Sequence, residues 1–307
     1  MPREHIRDDT RAVSFVMRPN FSSDHRLRRF SRAVNAAAGI AMNVFFRFAA
    51  GTAVATGMTI PATLPAQATF DHAALDALLR AHVSRGMVDY DRFAASAEFK
   101  AYLGRLAAFN PASLPRGEQL AFWINAYNAY TIQLINNHRE RKSIRNINKT
   151  GGFIKAYGPW TEKLAMVGGK AYGLDQIEQD IIRPTYREPR IHFALVCAAM
   201  GCPPLRSEAY TGARLESQLE DQAADFLLRS PSKNRLDVAS RTVYVSPIFV
   251  EFRDYIKDFG GSNATVGRFI AQYHPVGAAR DLLQSGNFNT VVTHYDWTLN
   301  SKANVRK

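Results

Sequence analysis

Cysteine is nearly absent from this chain. Its 307 residues hold two, Cys197 and Cys202, with no Cys-x-x-Cys and no His-x-x-x-His pair. The usual zinc-ligand spacings are therefore missing, and neither a metal site nor a cofactor is expected. Basic runs are also scarce. The densest is Arg139-Glu140-Arg141-Lys142, and no nucleic-acid-binding motif accompanies the formal net charge of +12, so nucleic acid is not an expected partner. The apolar stretch 48–60 is too short to span a bilayer, and Pro61 ends it. Internal repeats, low-complexity linkers and breaks in composition are missing from residues 69–307, which predicts one domain there. At 46% hydrophobic residues the composition suits a soluble globular chain with a sizeable core.

The amino-terminal region is different. Residues 1–68 carry nine arginines against four acidic residues, a net of +5. From Met42 a short start containing Arg47 leads into the apolar stretch and then Ala66-Gln67-Ala68, the pattern of a secretory leader with a small-residue cleavage site. The expectation is export to the periplasm or beyond, with a mature chain from Thr69, residues 1–41 lying upstream of the true start, and membrane anchoring as the alternative. Export changes the meaning of the cysteines. In an oxidising compartment a Cys197–Cys202 disulfide is the default; in a reducing one the pair reads as a redox or nucleophilic site.

In the mature chain, residues 71–85 have helical apolar spacing and Gly86 as a stop, and residues 96–109 predict a second helix. A third helix starts at Ser113, Pro115 and Glu118 and is apolar on nearly every face, which predicts a buried central helix. Glu118 and Asn125, seven residues apart, share one face with Asn128, and burying such a stripe demands partners. Gly168-Gly169 between two short apolar segments predicts a hairpin, and Asp175 with Glu178 predicts a helix start that Pro184 ends. Residues 191–196 form a continuous apolar run holding His192, which reads as a strand buried on both faces. Helices are expected over 215–228, 252–259 and 266–273, and strands over 242–245 and at the closing VVTHYDWTLN. His72 and His82 read as surface residues, and His274 and His294 as isolated ones.

Four stretches, AFWINAYNA, GGKAYGLDQIE, RIHFALVCAAMGCPPL and the closing YDWTLN, together resemble the DUF547 family. The resemblance implies an exported bacterial single-domain protein, and some animal relatives resemble fusions with glutaredoxin-type domains, which hints at thiol or glutathione chemistry. The fold expected is α+β, helix-rich, with the buried helix on a small, mostly antiparallel sheet. A buried helix against a strand that begins with a histidine resembles the layout of papain- and transglutaminase-like hydrolases, although Glu118 stands where those enzymes start the helix with cysteine.

Three functions stay open. The first is a hydrolase or an acyl or peptidyl transferase acting on a small-molecule or peptide-like substrate. His192 would be its base, Glu118 or Asp296 the orienting carboxylate, Asn125 a polar stabiliser and Cys202 the nucleophile. Trp123, Asn128, Cys197, Tyr295 and Asp296 would line the binding pocket. The second is thiol–disulfide exchange at Cys197 and Cys202, whose four intervening residues exceed the usual redox spacing of two. The third is a non-catalytic envelope-binding module whose basic surface suits anionic polymers.

Overall fold

In a computed structural model of the chain, residues 68–147, 158–252 and 254–305 are described. The leader reading falls on residues outside these. The first helix, α1 (Ala73–His82), follows Asp71, whose carboxylate accepts the Ala73 N–H, and turns Leu75, Leu78 and Leu79 inward. A short hairpin of β1 (Val83–Ser84) and β2 (Met87–Val88) turns at Gly86, where φ is +77° and a Cβ would stand 2.5 Å from Pro204. Helices α2 (Tyr90–Ala95) and α3 (Ala97–Ala108) are capped by the side chains of Asp89 and Ser96. His72, read as a surface residue, is instead buried, its Nδ1 2.7 Å from the Tyr102 hydroxyl.

Helix α4 (Arg116–Asn137) is buried over most of its length, as its all-round apolar sequence requires. It runs among α2, α3, α9 (Leu215–Leu228) and the first strand of a hairpin, β3 (Ala165–Val167) paired with β4 (Lys170–Tyr172). That hairpin turns through Gly168 and Gly169, both at positive φ. Ahead of it lies the short helix α5 (Gly158–Thr161).

Two expectations fail in the next segment. The helix expected to start at Asp175 and stop at Pro184 instead follows Gly173. It runs from α6 (Leu174–Gln176) through a π-helical turn, Ile177–Ile182, into α7 (Arg183–Tyr186). Pro184 does not end the helix, which runs on to the left-handed Arg187. The apolar run 191–196 is not a strand. Ile191–Ala194 forms a single helical turn, α8, closed by the Leu195 N–H on the Ile191 carbonyl, and only Leu195 onward is extended. A short apolar run does not by itself distinguish helix from strand. Here Asn128 of α4 donates to the Ala194 carbonyl and accepts the Val196 N–H, so one amide side chain supplies the pairing that a neighbouring strand would have given.

The main sheet has three strands: β5 (Arg235–Asp237) antiparallel to β6 (Thr242–Val245), and β7 (Asn289–Val292) parallel to β6. Helices α10 (Asn263–Ala271) and α11 (Ala278–Ser285) lie in the crossover between β6 and β7, after a five-residue 3₁₀ turn, Tyr255–Phe259, where a longer helix was expected. The fold is therefore α+β and helix-rich. The closing strand stops at Val292. Beyond it the chain lies along the cysteine loop, with Met200 and Gly201 donating to the carbonyls of Thr298 and Asp296. Among the described residues no helix is long and apolar enough to cross a membrane.

Candidate functional site

The helical turn α8 aims His192 toward the 3₁₀ turn 255–259. Its Nε2 lies 2.7 Å from Asp258 Oδ2. A carboxylate only accepts, so Nε2 carries a proton toward Asp258, and Nδ1 faces the other way, where Glu178 Oε1 lies at 3.9 Å. Asp258 is itself clamped by Arg183, with Nε at 2.6 Å and Nη2 at 3.0 Å. Burial alone would raise the Asp258 carboxyl, but the hydrogen bonds from His192 and Arg183 outweigh it and hold the group down to about 2. The Tyr255 ring covers the imidazole, centroids 4.1 Å apart, and the His192 side chain is only 1% exposed.

Glu178 comes from the π-helical turn, a feature often found at functional sites. The widened turn presents its carboxylate, also buried, to the Tyr255 hydroxyl, which donates to Oε1. The Tyr127 hydroxyl donates to it as well. Burial pushes that phenol well up, and the Glu178 and Asp175 charges push the same way, so it remains a donor.

His192, Glu178, Tyr127 and Tyr255 line one cavity of about 330 Å³, and Asp258 and Arg183 do not. One wall is the cysteine loop. A disulfide joins Cys197 to Cys202 across Cα atoms 6.2 Å apart, and the Tyr295 hydroxyl lies 2.9 Å from the first sulfur and 3.0 Å from the second. Ala198 holds a left-handed φ of +59°, a conformation costly for a residue with a Cβ. Gly201, in the same loop, does not adopt positive φ. Its glycine is required by close approach, since a Cβ there would meet the Tyr295 ring at 2.9 Å. Trp160, Phe252 and Trp297 complete an aromatic wall, and Asp175 and the exposed Glu251 add carboxylates. Among the described residues no group of three or more His, Cys, Asp and Glu is placed to hold a metal ion.

Of the residues singled out in the sequence, the cavity gathers His192, Cys197, Cys202 and Tyr295. Asn128 stands behind it as the brace of α8. Asn125 does not reach it. That amide donates to the Tyr210 carbonyl at 2.7 Å and accepts the Tyr210 N–H at 2.9 Å, pinning a loop to α4. Glu118 packs against Gly212, Trp123 lies edge-on to Tyr172 with centroids 5.7 Å apart, and Asp296 accepts the Thr298 N–H at 2.8 Å. None of these three lines the cavity. The carboxylate that orients His192 is thus Asp258, not Glu118 or Asp296. In the disulfide Cys202 carries no free thiol, so the nucleophile assigned to it is masked. With His192 on a helical turn, the strand-borne histidine that suggested a papain-like layout is not present.

Sequence reading missed Asp258, Tyr255 and the role of Glu178. Asp258 follows His192 by 66 residues, and only the folded chain brings them together. The one local signal was the concentration of aromatic and acidic residues at 251–259.

A family model described as "Protein of unknown function, DUF547" matches residues 111–227. The match supports the resemblance over α4, the π-helical turn, His192 and both cysteines, and it ends before Asp258, Tyr295 and the closing YDWTLN motif. No curated protein and no solved structure matches the chain.

Proposed function

We propose that the cavity is the active site of a hydrolase or acyl-transfer enzyme in which His192 is the general base. The observation that carries this reading is the chain Arg183–Asp258–His192, which ends at a cavity of ligand size. An imidazole that donates one N–H to a clamped carboxylate has its tautomer and ring plane fixed, and its other nitrogen is free to take a proton. Asp258 then stabilises the imidazolium that forms, and Glu178 at 3.9 Å adds a second negative group on the far side of the ring. With the cysteines paired, the attacking group is a water or a substrate hydroxyl, deprotonated by Nδ1. The aromatic wall and the burial of the ring keep bulk water away from the charges.

One observation favours a second reading. The disulfide itself lines the cavity, so a dithiol substrate entering it would meet Cys197, the less buried of the pair. Thiol–disulfide exchange would follow, with Tyr295 and the Cys197 N–H placed to donate to the Cys202 thiolate released. We further propose that residues 1–68 are an upstream segment plus a cleaved leader, and that the domain works outside the cytoplasm, where the disulfide persists.

The test is turnover of a panel of p-nitrophenyl esters and anilides by purified protein. The expected result is activity that His192→Ala reduces at least about a hundredfold, the usual weight of a general base, and that persists in the Cys197→Ser/Cys202→Ser double variant. A wild type that turns over nothing in the panel, or a His192→Ala variant at full rate, removes the hydrolase reading. Activity that appears only with added dithiol transfers the assignment to the cysteines.

A further inference from the structure

Lys233 lies in the turn between α9 and β5, half-buried and outside the cavity. Its ammonium donates to the Cys202 carbonyl at 2.5 Å and lies 5.8 Å from the Phe226 ring centroid. The Thr293 hydroxyl donates to the Lys233 carbonyl at 3.0 Å, which ties the lysine backbone to the closing segment. Among the described residues the ammonium makes no ion pair. Asp225 and Asp296 act on it from a distance, but Asp225 holds Arg229 at 2.6 Å and Asp296 accepts the Thr298 N–H. We infer that Lys233 is the counter-ion of the Cys202 thiolate formed when the disulfide opens, and that it makes Cys202 the leaving sulfur and Cys197 the sulfur attacked.

This inference rests on the thiol–disulfide reading of the cavity. A half-buried cation with one carbonyl for a partner has lost hydration that the carbonyl returns only in part. Burial pushes Lys233 down to about 8, against the pull of Asp225 and Asp296, so its charged form still dominates at pH 7. In the disulfide neither sulfur carries charge. A thiolate on Cys202 puts an anion on the residue whose carbonyl Lys233 already holds, and the flexible lysine stem can turn its other N–H groups toward it. The two sulfurs are unequal in other ways. Cys197 is half-buried and Cys202 is 2% exposed, with the Cys197 N–H at 3.1 Å and the Tyr295 hydroxyl at 3.0 Å as donors for Cys202 Sγ. Burial keeps Tyr295 in its neutral form. The other ionisable groups of the cavity are His192, Asp175, Glu178 and Glu251. Its carboxylates disfavour a thiolate, so a cation beside Cys202 counts for more. A dithiol substrate attacks Cys197 as its thiolate: the new S–S bond forms there, the Cys197–Cys202 bond breaks, and its electron pair stays on Cys202. The second substrate thiolate then attacks the substrate sulfur bound to Cys197 and releases that cysteine. The substrate leaves as a disulfide, two electrons pass to the cysteines, and the two thiol protons go to solvent or to the cysteines.

The first measurement needs no variant. Oxidised wild-type protein is incubated with glutathione, quenched with an alkylating agent and mapped by peptide mass. Glutathione is expected on Cys197 and the alkyl group on Cys202; the reverse pattern overturns the inference. The second follows the ultraviolet absorbance of the thiolate against pH in Cys197→Ser, where Cys202 is the one thiol. Adding Lys233→Met is expected to raise the midpoint by at least about one pH unit, tenfold in the acid constant. Adding Lys233→Arg instead, which keeps the charge, is expected to leave it near the starting value. An unchanged midpoint with Lys233→Met overturns the inference. Dithiothreitol then separates the pair from the reading beneath it. A lysine-dependent midpoint in a protein that oxidises dithiothreitol no faster than cystine does keeps the Lys233–Cys202 pair and removes the exchange reading. Fast oxidation with an unshifted midpoint keeps the exchange reading and removes the pair.

Discussion

Replacing Asn128 by alanine tests how the segment carrying both His192 and Cys197 is held. The amide is 6% exposed, and it makes hydrogen bonds of 2.9 Å to the Ala194 carbonyl and 3.0 Å from the Val196 N–H. Alanine removes both partners and leaves two backbone groups buried and unpaired. Each such group costs about 1–3 kcal/mol, and water entering the vacated space recovers part of it. The expected loss is therefore about 3 kcal/mol, toward the middle of the range for two groups. For a domain of this size that is a fall in Tm of about 6–12 °C. The assay is urea unfolding of the purified protein followed by tryptophan fluorescence and circular dichroism. Gln133→Ala serves as control, because its bond to Asn137 on the same helix is exposed, and its effect should stay within about 0.5 kcal/mol. A loss under about 1 kcal/mol in Asn128→Ala would refute the reasoning, since it would mean that α8 and the extended segment after it do not depend on the bridge.

Three other perturbations follow from the same structure. Burial pushes His72 down to about 4, below its ordinary value of 6.5, so the unfolded chain binds the extra proton between those values and stability falls as pH drops through that window. Between pH 7 and pH 5 the loss should be about 2 kcal/mol in urea unfolding, and it should be absent from His72→Gln; an equal loss in the variant would assign it to other groups. Gly201→Ala would drive a Cβ to 2.9 Å from both the Tyr295 ring and the Asp296 nitrogen, so a fall of about 2 kcal/mol or more is expected from overpacking at a rigid site; a wild-type Tm would show that the closing segment yields freely. Asp258→Asn places an amide donor against either His192 or Arg183, and should cost about 2–4 kcal/mol. It should also release the fixed imidazole tautomer, read from the ring ¹⁵N shifts. An unchanged tautomer would remove Asp258 from its role as the orienting group.

Local pattern was enough for much of this chain. The all-round apolar sequence of α4, the Gly168-Gly169 hairpin and the amphipathic α9 are legible because hydrogen bonds and side-chain periodicity within each segment decide them. So was the neighbourhood of the site, since His192, two cysteines and Tyr295 attract notice wherever they fall. What stayed illegible depended on partners far along the chain. Residues 191–196 satisfy the pattern of a buried strand, and they become a helical turn because Asn128 meets the backbone where a strand would have. His192 required a carboxylate, and sequence spacing offered Glu118 and Asp296, whereas the fold supplies Asp258 from a 3₁₀ turn 66 residues away. The buried amides were visible as residues needing partners, but whether those partners were loop backbone or a ligand was not a local question. By itself the sequence determined the buried α4, the Gly168-Gly169 hairpin and α9, and it singled out His192, Tyr295 and the two cysteines. Tertiary structure alone decided which charges face one another across the cavity, because Coulomb and hydrogen-bond energies depend on distances of a few ångströms that no local pattern encodes.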